Sequence, residues 1–75
     1  MHPAKISYMI ECQTKIAQGL ERSLKVLREE ADNEILYTQL STHSPYYEMA
    51  IGKLTTQLKL TRARIDILNR ALAKE

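Results

Sequence analysis

The second half of the chain carries an uninterrupted heptad pattern, which limits the possible folds more than any other feature. From Ser44 to Glu75, mostly apolar side chains recur at alternating intervals of four and three residues. The members of this series are Tyr47, Ile51, Leu54, Leu58, Thr61, Ile65, Leu68 and Leu72. On an α-helix these positions form one stripe, whereas a β-strand would scatter them over both faces. The pattern predicts a helix from about 45 to 73, with Ser44 as its N-cap and Pro45 as its first residue.

The first half is also helical in pattern, but its apolar stripe is less regular. Its apolar positions are Ile6, Met9, Ile10, Ile16, Leu20, Leu24, Leu27, Ala31 and Ile35. This stripe drifts between heptad positions, which favours a period near 3.6 and packing in a globular bundle. We expect a helix from about 4 to 31, which either extends or resumes to 40 beyond the weakly helical pair Asp32–Asn33. Residues 41–44 are expected to break the helix.

Two such helices joined by a short connection predict an all-α fold, an antiparallel helical hairpin that forms one domain over residues 1–75. The leucines of the first helix, together with Ile16, would pack against the seam of the second helix. A chain of 75 residues builds only a small core. We therefore expect the hairpin to depend on a partner for part of its stability.

Composition excludes several classes of protein. The net charge is only +2, and a single cysteine, Cys12, allows no internal disulfide and fits a reducing compartment. No apolar run approaches the roughly 20 residues that span a membrane, and the N-terminus lacks an apolar signal core. A cytoplasmic protein is the expectation.

The sequence predicts no enzyme, cofactor or metal site. His2 and His43 lie in a terminus and a predicted loop, and one cysteine cannot form a zinc set. The basic residues of the second helix offer a weaker alternative, nucleic-acid binding. Lys59, Arg62 and Arg70 fall on neighbouring parts of one arc, although Asp66 lies within it.

Surplus apolar positions indicate a protein partner. Leu60, Ile67 and Ala71 lie off the seam of the second helix, where a solvated face would carry charged residues. On the first helix, Tyr8, Cys12 and Val26 are surplus in the same way. These six residues are the predicted partner-binding positions, and the partner is either a different protein or a second copy. Gly19, in line with Cys12 and Val26, is either a tolerated helical glycine or a point of close backbone approach.

The arrangement resembles a known family. An amphipathic helix, a short polar break and a leucine-rich helix opened by Ser44-Pro45-Tyr46-Tyr47 resemble the YscE/PscE/SsaE/EscE-like small co-chaperones of type III secretion needle subunits. The resemblance extends from about Ile6 to Leu72, and the apolar tail Ile35–Leu40 departs from it.

The resemblance implies a function in protein export. It implies a cytoplasmic hairpin that pairs with a larger tetratricopeptide-like co-chaperone and helps keep the aggregation-prone needle subunit monomeric. The alternative is a self-associating, homodimeric helical bundle, such as a small phage or regulatory protein.

Overall fold

The chain forms two long α-helices. The computed structural model describes residues 2–38 and 44–74. Helix α1 runs over Pro3–Thr38 and helix α2 over Pro45–Ala73, and the two pack along their lengths. This confirms the predicted all-α hairpin, and the bounds of α2 match the prediction. Of the predicted break at 41–44, residues 41–43, which include His43, lie outside the described residues, as do the last two residues of the extension to 40.

Helix α1 is continuous through Asp32–Asn33. This pair was the reason why the sequence did not decide where the first helix ends. Ala31 is fully buried at 0 % exposure and Ile35 is half-buried, so the buried stripe continues on both sides of the polar pair. Packing of these flanking residues outweighs the poor helix propensity of Asp and Asn, which is at most about 0.7 kcal/mol per residue. The extension alternative is therefore correct as far as Thr38.

Each helix begins with a proline that follows a capping residue. The His2 ring accepts a hydrogen bond from the backbone N–H of Ala4 through Nδ1, at 3.1 Å. The Ser44 carbonyl accepts the N–H of Glu48 at 3.1 Å, but the Ser44 hydroxyl makes no capping bond. Ser44 is thus the N-cap residue as predicted, while the bond expected from its side chain is absent. Proline suits the position that follows, because a first-turn N–H has no partner within the helix.

The two helices meet along matching heptad seams. The buried residues are Ile6, Ala17, Leu24, Ala31, Leu58 and Thr61. In α1 these positions belong to the regular series Ile6, Ile10, Gln13, Ala17, Leu20, Leu24, Leu27, Ala31 and Glu34, whose intervals alternate strictly between four and three. The fully buried members of α1 thus follow heptad spacing, and Ile16 departs from the predicted stripe. The hairpin is an antiparallel coiled coil along both helices.

Ile16 is the residue whose predicted place is overturned. It was expected in the core beside Leu20, but it is 50 % exposed. Ala17 occupies the seam instead and is buried against Leu24 and Leu58. Bulk alone favoured Ile16, whereas the heptad spacing places the smaller alanine opposite α2.

The seams include three polar residues, Gln13, Glu34 and Thr61. Thr61 is 3 % exposed, and its hydroxyl donates a hydrogen bond to the Gln57 carbonyl one turn earlier, at 2.8 Å. This internal bond lets the hydroxyl be buried without an unpaired donor. Gln13 differs, because its Oε1 is buried and has no hydrogen-bond partner among the described residues.

An ion pair across the hairpin shows the register of the two helices. Arg62 donates a hydrogen bond from Nη2 to Glu21 Oε1 at 2.8 Å. In an antiparallel pair, a step toward the end of α1 corresponds to a step toward the start of α2. Leu24 therefore lies near the level of Leu58, within the same core cluster.

The hairpin is a thin rod with much exposed surface. Its Cα trace measures 55 × 14 × 14 Å, and its accessible surface is 5798 Å². A globular monomer of 8.6 kDa exposes about 4,700 Å². Among the described residues, two of the five buried apolar side chains are alanines, so the core is also small in volume. These values agree with the expectation of a core that two helices fill only in part.

Both glycines reduce the stability of their helices without any steric need. A Cβ built at Gly19 or Gly52 meets no atom within 4 Å. We expect Gly52→Ala to raise the free energy of unfolding by about 1 kcal/mol and the melting temperature by about 4–8 °C. Gly19→Ala should have a similar effect on the isolated chain. Thermal melts followed by circular dichroism measure both values, and a decrease in either melting temperature would contradict the open space around that glycine.

Candidate partner-binding surface

The seam separates two flanks of different chemistry. The charged flank carries Glu21, Arg28, Thr55, Lys59 and Arg62, which line one cleft along the hairpin together with Leu24 and Leu58. The apolar flank lies on the opposite side. It carries Met9, Cys12, Ile16, Val26, Leu60, Arg64, Ile67 and Ala71.

Ion pairs link side chains on the charged flank and next to it. The Glu21–Arg62 pair spans the two helices, and both side chains remain half-exposed to solvent. An exposed pair of this kind contributes about 0.2–1 kcal/mol. Next to this flank, Asp66 pairs with Arg70 at 3.1 Å. Two cations of the predicted basic arc, Arg62 and Arg70, are therefore already ion-paired.

The apolar flank contains a groove between the two helices. Two clefts, of about 190 and 310 Å³, follow one another along it. The first is lined by Met9, Gln13, Arg64, Ile67 and Leu68. The second is lined by Ile16, Leu20, Gln57, Leu60, Thr61 and Arg64. Because Arg64 lines both clefts, they form one continuous feature, which we call the apolar groove.

Leu60 and Ile67 form the α2 wall of the apolar groove. They are 53 % and 63 % exposed, and they lie seven residues apart on the same side of the helix. Ala71, one turn beyond Ile67, is half-buried. The structure thus places the three predicted positions of the second helix on one flank, two of them largely open to water.

The three predicted positions of the first helix lie further from the groove. Cys12 is half-buried and Val26 is 52 % exposed, both along the outer border of the apolar flank. Tyr8 is 66 % exposed on the outer side of α1. Interaction with the Cys12 side chain, one turn later, raises the pKa of the Tyr8 phenol. Cys12 and Val26 therefore share a flank with Leu60 and Ile67, whereas Tyr8 lies beside it.

The α1 wall of the groove consists of two residues that the sequence did not single out as partner-binding positions. Met9 lines the first cleft and Ile16 the second. Both had been assigned to the core stripe on the basis of their apolar character. The signal that identifies them is their position directly before Ile10 and Ala17 on the regular seam, which places them beside the interface rather than in it.

A second group of exposed apolar side chains lies where the helices approach their connection. Leu36, Tyr37, Tyr46 and Met49 are 64–85 % exposed. The Tyr46 ring contacts the ring of Tyr47 edge-on, with centroids 5.2 Å apart. Tyr47 belongs to the α2 seam and is half-buried, and burial raises the pKa of its phenol. This group borders residues 39–43, whereas the apolar groove lies entirely between described residues.

Comparison with known proteins does not identify a function for this surface. No family model, curated protein or solved structure matches the chain. Within residues 2–38 and 44–74, no group of three or more His, Cys, Asp or Glu side chains is arranged to hold a metal ion. Neither helix, over its described length, is long and apolar enough to cross a bilayer.

The arrangement can bind another helix. A groove between two helices, with apolar walls and an open length, fits the apolar face of an amphipathic helix. Burying the exposed parts of Leu60 and Ile67 would remove apolar area from water at roughly 25 cal/mol per Å². Such a helix would also cover the thin core on this side.

Proposed function

We propose that this chain is a small cytoplasmic co-chaperone. It binds a larger tetratricopeptide-like chaperone and, with it, helps keep a type III secretion needle subunit monomeric before export. The observation that carries the proposal is the exposure of Leu60 and Ile67, 53 % and 63 %, along a groove of a hairpin whose buried core is small. The opening Ser44-Pro45-Tyr46-Tyr47 supports the same class.

The mechanism follows from the incomplete core. A repeat-helix protein presents parallel rows of helices, and one of them can fill the apolar groove as a third helix. The hairpin would then gain the contacts that it lacks alone, and the larger chaperone would gain a cover for its own exposed helix. Stabilisation is mutual, because binding to the folded state raises the apparent stability of each partner. The hairpin itself needs no direct grip on the needle subunit.

The experiment combines three purified proteins. We expect the hairpin and a tetratricopeptide-like co-chaperone to form a stable complex, and the needle subunit to elute as a monomer only when both are present. Size-exclusion chromatography with light scattering measures the masses. A needle subunit that polymerises equally with and without the hairpin would refute the co-chaperone function.

A further inference from the structure

We propose that the apolar groove binds an acidic amphipathic helix, which pairs a carboxylate with Arg64 between two sets of apolar anchors. This inference deepens the proposed function, on which the identity of the biological partner rests. The chemistry of the occupant, however, is read from the groove itself. Its length, its apolar walls and its charge each restrict what can lie there.

The length of the groove sets the length of the helix. From Met9 to Leu20, the α1 side of the groove extends about 17 Å at 1.5 Å per residue. A helix of about 12 residues, or roughly three turns, covers this distance. The walls require apolar side chains at i, i+3 or i+4, and i+7, since Met9 and Ile16 are seven residues apart, as are Leu60 and Ile67.

The charge of the groove is positive. Arg64 lines both clefts, and it forms no ion pair or side-chain hydrogen bond with any described residue. Helical spacing places Lys5 and Lys74 on the same flank, near the open end of the hairpin. Glu30, the one described carboxylate at a flanking position on this side, lies in the other half of the rod. A helix that brings a carboxylate to Arg64 is therefore favoured over a neutral or basic one.

Arg64 contrasts with the cations elsewhere on α2. Arg62 is bound to Glu21 and Arg70 to Asp66, so their charges are already matched within the hairpin. Gln13, in the floor beside Arg64, leaves Oε1 buried and unpaired among the described residues. The polar centre of the groove thus offers a cation, Arg64, that no described residue pairs, while Met9, Ile16, Leu60 and Ile67 line its two walls. An occupant needs one polar position between its apolar anchors.

A second copy of the chain matches this half of the flank less well. Joining two copies through it doubles the cations Lys5, Arg64 and Lys74 and adds no described carboxylate. Like charges placed opposite each other at an interface oppose association. An acidic helix from another protein avoids this repulsion and supplies the missing charge.

The test uses the full-length chain and two synthetic peptides. Both are fluorescent, amphipathic and helical, about 14 residues long, with leucines at heptad spacing. One carries glutamate and the other lysine at the positions that flank the leucines. We expect the acidic peptide to bind at least about tenfold more tightly in fluorescence anisotropy. It should shift the methyl signals of Ile16, Leu60 and Ile67 in NMR spectra.

Matched variants distinguish a specific ion pair with Arg64 from a general effect of the net charge. Arg64→Glu should remove the preference for the acidic peptide. Lys59→Glu changes the net charge equally but lies on the charged flank, and it should keep most of the preference. Circular dichroism of both variants verifies that each remains helical.

Several results would overturn the inference. Equal binding of the two peptides would do so, as would no binding of either up to about 1 mM, or equal effects of the two variants. A dimer in sedimentation equilibrium that excludes the acidic peptide would show that a second copy is the occupant. A chain that binds the acidic peptide but leaves the needle subunit polymerising would keep this inference and reject the co-chaperone function.

Discussion

Replacing Leu24 with alanine is expected to unfold a large part of the isolated hairpin. Leu24 is 3 % exposed and contacts the centre of the core beside Ala17 and Leu58. Removing a buried leucine side chain costs about 2–5 kcal/mol. A domain of this size rarely has more than about 3–5 kcal/mol of stability from its core. The loss is therefore comparable with the whole free energy of unfolding, and helicity at 37 °C should fall sharply.

Urea unfolding followed by circular dichroism at 222 nm measures this loss. Val26→Ala is the matched control, because it shortens an apolar side chain two residues away that is 52 % exposed. We expect the control to change the free energy of unfolding by no more than about 0.5 kcal/mol. Similar losses in the two variants would mean that the seam through Leu24 does not hold the helices together.

The second helix was predictable because its seam consists almost entirely of large apolar residues. The residues from Tyr47 to Leu72 follow one spacing without a slip. The sequence therefore predicted the period and length of α2 and the stripe that packs on α1. Thr61 was the imperfect member of this series. It is buried in the structure, where its hydroxyl donates a hydrogen bond to the Gln57 carbonyl. Gly52 opposed the pattern by about 1 kcal/mol of local propensity, but the spacing, the N-terminal signals and the charge placement all indicated the same helix.

The seam of the first helix was misjudged because size was weighed above spacing. Ala17 occupies a seam position, while the larger Ile16 lies beside it. A leucine or isoleucine is usually buried, but a narrow coiled-coil interface accepts small residues where the helices approach closely. Spacing was the better guide, and it would also have identified the α1 wall of the groove.

The flanks could be assigned only once the helices were paired. Arg62 lies within reach of Asp66 along α2, yet it bonds to Glu21 of the other helix, 41 residues away in the chain. Sequence spacing describes neighbours within a helix and carries no information on the register between helices. The isolation of Arg64 on the apolar flank is a consequence of that register, and so is the continuous groove.

The double substitution Leu60→Lys with Ile67→Lys is expected to abolish binding of the protein partner and leave the hairpin folded. Both side chains are more than half exposed, so lysine places no charge in the core. Lysine is also a good helix former, so helicity should remain near that of the unchanged chain. In a complex, however, each lysine would lie in the wall of the apolar groove. Binding would then lose the apolar contact of that anchor and would have to desolvate an ammonium group.

The matched control is Thr56→Lys with Ala63→Lys. These residues are exposed on α2 at the same seven-residue spacing, but on the outer side of the helix. Both double variants gain the same charge, so a general electrostatic effect would act on them equally. Isothermal titration against the repeat-helix chaperone should therefore detect no binding for the groove variant and nearly unchanged affinity for the control. Unchanged binding of the groove variant, with normal helicity, would place the partner on another surface and exclude the apolar groove as the binding site.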